Sequence, residues 1–153
     1  MKFTRAIACV FLFTACTPNG VLVSTNGGTS VATVTRIDVS IAAFGQSATP
    51  AGLALGFSPI VANVAVGSGV QFVNVDNTSH TATSIQGTTF PPTSPFTFSA
   101  TTPSGSTLSS GFSSGTMQAG QSSAIFLVDK PGTYLYGCFF HYSGTMRGEI
   151  VAQ

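Results

Sequence analysis

"PGTYLYGCFFHYSGTMRGEIV", residues 131–151, opens on a Pro-Gly turn and passes into a run in which Tyr134, Tyr136 and Cys138 recur at every second position. That period of two places the three side chains on one face of an extended strand, "YLYGC" (134–138). "RGEIVAQ" (147–153) reads as the next and last strand. The residues between form a loop whose two ends are brought together by the strands that it joins, with Gly144 in its turn. Within nine residues this loop holds Cys138, His141 and Met146, in a chain that has two histidines, three cysteines and three methionines.

Outward from the loop, the composition points the same way. The chain has 153 residues, 43% hydrophobic and 6% charged, with thirteen phenylalanines and seventeen glycines. Val, Thr, Ser, Gly and Phe outweigh the strong helix formers, which favours short strands and turns. The expected class is all-β. "TVTRIDVSI" (33–41) is read as a first strand. "FSPIVANVAVGSGVQFVNVDNTSHTATS" (57–84) is read as one strand after Pro59, a turn at Gly67–Gly69 closing a hairpin, and a second strand from Val70 to about Val75 that leads to His80. "SSAIFLV" (122–128) is a further strand. Residues 86–120 are rich in Pro, Ser, Thr and Gly and are read as a long loop region with edge strands at 95–100 and 106–112. Six to eight short strands with turns about every ten residues indicate a β-sandwich.

The first residues, "MKFTRAIACVFLFTACTPNG", carry two cations, then an apolar run from Ala6 to Ala15, then Cys16 and a polar turn. This is the pattern of an export signal over residues 1–15. The ending "FTAC" resembles a bacterial lipobox, which implies a lipidated Cys16 tethering the domain to a membrane surface. Residues 16–32 are read as a flexible tether and 33–153 as the folded domain. The protein is therefore expected to be exported, either periplasmic or anchored as a lipoprotein. Cys9 lies within the leader and Cys16 at its end, so Cys138 is the one cysteine left to the domain. An exported domain with a single thiol calls for a partner other than a disulfide.

Thiolate, two imidazoles and a thioether make up the donor set of a blue-copper electron-transfer site. Cys138, His141 and Met146 supply three of these as C-x-x-H-x-x-x-x-M, and His80, the other histidine, ends an earlier strand. A nucleophilic Cys138/His141 dyad is the rival reading, but it leaves His80 and Met146 without a role. Four protein donors leave no open position for a substrate, which favours electron transfer over catalysis.

The two quoted stretches, 57–84 and 131–151, resemble in order the plastocyanin/azurin family of small cupredoxins, from about Phe57 to Val151. The resemblance implies a Greek-key β-sandwich with one copper ion bound by His80, Cys138, His141 and Met146. It implies that His141 is the partly exposed ligand and the route for electrons. Of Phe139, Phe140 and Tyr142, which flank the loop, at least one is expected to face outward, where an apolar rim around His141 suits transient docking of redox partner proteins. Two positions depart from the family. Thr81 stands where asparagine is common after the first histidine, and Gly137 stands where plastocyanins carry an aromatic that serves a remote docking route. The function expected is that of an electron carrier acting as a monomer, not an enzyme. The alternative is copper delivery or sequestration. With so few charges there is no basic face for nucleic acid.

Overall fold

The computed structural model describes residues 33–153; the expected signal and tether, residues 1–32 with Cys16, lie outside the described residues. Twelve short strands and two single turns of 3-10 helix make up this part of the chain. The strands are β1 (Val34–Val39), β2 (Ser47–Thr49), β3 (Gly52–Ala54), β4 (Phe57–Ser58), β5 (Val61–Val64), β6 (Gly69–Asn74), β7 (Thr83–Ile85), β8 (Pro103–Ser104), β9 (Ser113–Ser114), β10 (Phe126–Leu127), β11 (Gly132–Gly137) and β12 (Arg147–Ala152). One sheet has the order β10-β6-β1-β4 and the other β5-β12-β11-β7-β9-β8, while β2 and β3 pair as a small hairpin. The two large sheets form a sandwich.

The alternation in β11 explains how that sandwich closes. Tyr134, Tyr136 and Cys138 join the main core, together with Ile37 and Val39 of β1, Val70 and Phe72 of β6, Phe126 of β10 and Ile150 of β12. Leu135, on the opposite face, joins a second cluster with Ile85, Ala51, Ala54, Phe90 and Tyr142. The middle of the larger sheet is thus covered on both sides, and β12 is buried at five of its six positions. Phe57, Phe72 and Tyr136 meet edge to face at centroid separations of 4.8–6.2 Å, geometry that adds about 0.5–1.5 kcal/mol per pair beyond the area buried.

The hairpin expected across Gly67–Gly69 is not formed. β5 pairs in parallel with β12, and β6 pairs in parallel with β1, so the turn carries the chain from one sheet to the other. Ala62 and Val64 on one side of the turn and Val70 and Phe72 on the other all face the same core. The two strands therefore oppose each other across the sandwich and share no ladder.

Residues 86–120 are more ordered than their composition suggests. A 3-10 turn at Phe98–Thr101 replaces the expected strand at 95–100, and the short strands fall at β8 and β9, outside the expected 106–112. β9 extends the larger sheet through its pairing with β7. Leu108, Phe112 and Met117 from this segment are buried in the main core. The expected strand at 122–128 is paired over Phe126–Leu127, with an isolated bridge from Ser122 to Val73.

Candidate metal centre

His80 follows β6, held in a two-way backbone bridge with Met117: the His80 N–H donates to the Met117 carbonyl at 3.1 Å, and the Met117 N–H donates to the His80 carbonyl at 2.8 Å. Cys138 directly follows β11, and its N–H donates to the Met146 carbonyl at 3.0 Å. The carbonyl of His141 accepts the N–H of Gly144 at 3.0 Å and that of Met146 at 3.3 Å. These bonds pin both ends of the loop. The left-handed residue in it is Thr145, at φ 65°, and not the Gly144 on which the sequence reading rests the turn.

The sequence-expected residues His80, Cys138 and His141 come together through their donor atoms. His141 Nδ1 lies 3.2 Å from His80 Nδ1, and Cys138 Sγ lies 3.7 Å from His80 Nδ1 and 3.6 Å from His141 Nδ1. The point equidistant from these three atoms falls inside their triangle, about 2.0 Å from each; imidazole nitrogen and thiolate sulfur bind metal ions at about 2.0–2.3 Å. Three donors facing one another at this spacing fit a metal ion. Met146 is fully buried in the same cluster as Cys138, and its thioether together with these three side chains makes up the His-Cys-His-Met set of groups typical of a type 1 copper site.

The surroundings hold these groups in place. The Thr81 N–H points at Cys138 Sγ at 3.4 Å, and Thr81 Oγ1 accepts the Phe139 N–H at 2.8 Å, so this threonine braces the loop. Burial pushes the Cys138 thiol up from its usual range, against the lowering effect of hydrogen bonds from Thr81, and burial lowers His80, with the Asp76 hydrogen bond opposing it. A desolvated thiol would give up its proton to solvent most readily when a metal cation takes the proton's place on the sulfur.

His80, Cys138 and Met146 are inaccessible to solvent, whereas His141 is half-buried. Beside His141 the surface is aromatic. Phe140 is 43% exposed and its ring lies 6.3 Å from that of His141; Phe139 packs against Phe140 at 5.2 Å and against the 78% exposed Phe98 at 6.3 Å. Of the three aromatics in the loop, Tyr142 turns inward, and its hydroxyl donates to the Pro91 carbonyl at 2.8 Å. An ideal Cβ on Gly137 would lie 3.0 Å from the Tyr142 ring and 3.1 Å from the Met146 carbonyl, so any side chain at this position requires its neighbours to give by a few tenths of an ångström.

Sequence reasoning missed several contributors. Asn74 Nδ2 donates to the carbonyls of Thr78 at 2.7 Å and Met117 at 2.9 Å, which ties the approach to His80 to the 86–120 segment. Gly56, at φ +79°, makes room for Met146. Asp76 Oδ2 lies 3.2 Å from His80 Nε2. The last had a usable signal: a carboxylate four residues before a candidate ligand, in an otherwise nearly uncharged chain.

No family model matches this sequence, and no curated protein matches it either. Among solved structures, the chain is similar to a purple cupredoxin from Nitrosopumilus maritimus, at 21% identity over 77% of this chain and 98% of that one, with a TM-score of 0.49. It is also similar to a mutant plastocyanin of fern, at 21% identity over 78% of this chain and 100% of that one, with a TM-score of 0.48. A third is a mutant amicyanin in its Cu(I) form, at 17% identity over 77% of this chain and 80% of that one, with a TM-score of 0.45.

Proposed function

We propose that this protein binds one copper ion through His80, Cys138, His141 and Met146 and carries single electrons between exported redox partners. The carrying observation is the closed triangle of two imidazole nitrogens and one sulfur around a point at metal-binding distance from all three. When bound, copper supplies a one-electron couple whose two states prefer different geometries, and a fixed set of two nitrogens and one sulfur with a weak fourth donor lies between those preferences. The chain's part is to keep the donors where they are. Backbone bonds at Cys138, His141 and Met146 and the Thr81 brace restrain the loop, so little has to move when an electron arrives.

Burial of three of the four donors favours a carrier over a delivery protein, which has to release its metal. The half-buried His141, framed by Phe139 and Phe140, is the edge through which a partner would exchange electrons, with the protein acting as a monomer in transient contacts and without catalytic turnover. The leader and "FTAC" support export, with Cys16 as a lipid anchor.

Adding Cu(II) to the purified protein tests the reading. An intense visible thiolate-to-copper band, a reversible one-electron couple and slow loss of metal to a chelator are expected, and Cys138→Ala is expected to lose the band while retaining the far-ultraviolet signature of β-structure. A colourless wild-type protein, or a coloured Cys138→Ala variant, overturns the site. A coloured protein that gives its copper up rapidly is a delivery protein.

A further inference from the structure

Asp76 is a buried carboxylate, 8% exposed, on the side of His80 away from the donor triangle. Its Oδ2 receives the Ser40 hydroxyl at 3.1 Å, the Ile41 N–H at 2.8 Å and the Ala42 N–H at 3.4 Å, and its Oδ1 receives the Asn77 N–H at 2.7 Å. Its own N–H donates to Asn74 Oδ1 at 2.9 Å. Every neighbour of the carboxylate oxygens other than His80 is a donor.

With one hydroxyl and three backbone N–H groups aimed at its two oxygens, this carboxylate is placed to accept. At 3.2 Å from Asp76 Oδ2, His80 Nε2 must carry the ring proton, because two lone pairs facing each other at that distance repel. The neutral ring then keeps its lone pair on Nδ1, the atom that faces Cys138 Sγ and His141 Nδ1. Thr78 Oγ1, also 3.2 Å from Nε2, can share that proton as a second acceptor. Were the Thr78 hydroxyl to donate to Nε2 instead, the Asp76 contact would become repulsive.

We propose that Asp76 is the positioning residue of this centre: it locks His80 as the Nε2-protonated tautomer with Nδ1 aimed at the ion, and its fixed charge one imidazole away favours Cu(II) over Cu(I). The second half rests on the copper reading above; the first does not. A carboxylate behind a ligating imidazole raises the basicity of the ring. In this case the carboxylate is itself anchored by the Ser40–Ala42 segment that follows β1, so the ligand is tied through Asp76 to the sheet opposite the one that carries Cys138.

The test uses Asp76→Asn, which keeps shape and removes charge. Nitrogen NMR on the metal-free protein reads the tautomer without copper: the wild type is expected to show His80 protonated at Nε2 with a slowly exchanging proton, and the variant to exchange it at least about tenfold faster. With copper, the variant is expected to keep the visible band while the ratio of Cu(II) to Cu(I) affinity falls at least tenfold, a rise in potential of about 59 mV for one electron. Wild-type His80 protonated at Nδ1 overturns the proposal, as does a variant whose affinity ratio stays within about twofold of wild type. If Asp76→Asn does not fold, Thr78→Val decides instead: an unchanged tautomer supports Asp76 as the partner that matters, and a switch to Nδ1–H refutes it. A wild type without a copper band sinks the function but leaves the tautomer result to judge Asp76 on its own.

Discussion

Gly56 supplies no donor atom, yet the Met146 side chain occupies the space that a side chain at position 56 would need. An ideal Cβ there would stand 2.7 Å from Met146 Cγ and 3.1 Å from its terminal methyl carbon, and the backbone is at φ +79°, where L-residues are strained. Gly56→Ala therefore costs about 1 kcal/mol or more from backbone strain alone and displaces the Met146 thioether. The expected outcome is a copper-loaded protein that keeps its thiolate band but with altered intensity ratios, and a lower midpoint in urea. A variant with wild-type spectrum and midpoint would show that Met146 has slack that the packing does not reveal. At this scale the sequence was most legible where chemistry is concentrated. His80, Cys138 and His141 were recoverable because few reactive side chains compete with them, while Gly56 was hidden among seventeen glycines whose individual backbone angles no spacing rule encodes.

Among the elements, β11 was the most readable, because its alternation assigns Tyr134, Tyr136 and Cys138 to one face and Leu135 to the other, as the two clusters show. The β5–β6 connection misled for a physical reason: a Gly-Ser-Gly turn between two apolar runs looks the same whether the strands pair beside each other or face each other across a core. Which one forms is decided by β1 and β12, which offer parallel ladders far away in sequence. β11 also carries an unpartnered group. The Tyr136 hydroxyl is fully buried without a hydrogen-bond partner, pressed over Gly148 of β12, where an added Cβ would come within 2.4 Å of it. Burial with no compensating bond, and the nearby Glu149 carboxylate, drive its ionisation far above the usual tyrosine range. An unmade buried hydrogen bond costs about 1–3 kcal/mol, so Tyr136→Phe should leave stability unchanged or raise it within that range, without altering the copper spectrum. A loss of more than about 1 kcal/mol in urea unfolding would reveal a partner for the hydroxyl, such as a buried water.

For the molecule as a whole, the distribution of charge decides how it meets others. Among the described residues, Asp76 and Glu149 are buried, and the Arg147 guanidinium lies over the Tyr142 ring at 4.1 Å and the Phe90 ring at 5.6 Å. Arg36 pairs with Asp38 at 2.5 Å. What remains for the surface field is chiefly Asp129 and Lys130, adjacent and opposite in sign. The face around His141 presents Phe98, Phe139 and Phe140. The first of these comes from the 86–120 segment, whose composition reads as a loop and whose structure seals one side of the sandwich; long-range burial of Leu108, Phe112 and Met117 orders it, a force that local composition does not report. Steered association falls steeply with ionic strength, whereas contact between apolar faces does not. Electron exchange with a partner should therefore change by less than about threefold as the Debye length shrinks from about 30 Å to about 8 Å. Stopped-flow rates across that range of salt check this, and a tenfold fall would mean that the partner reads charges on this surface instead of its aromatic edge.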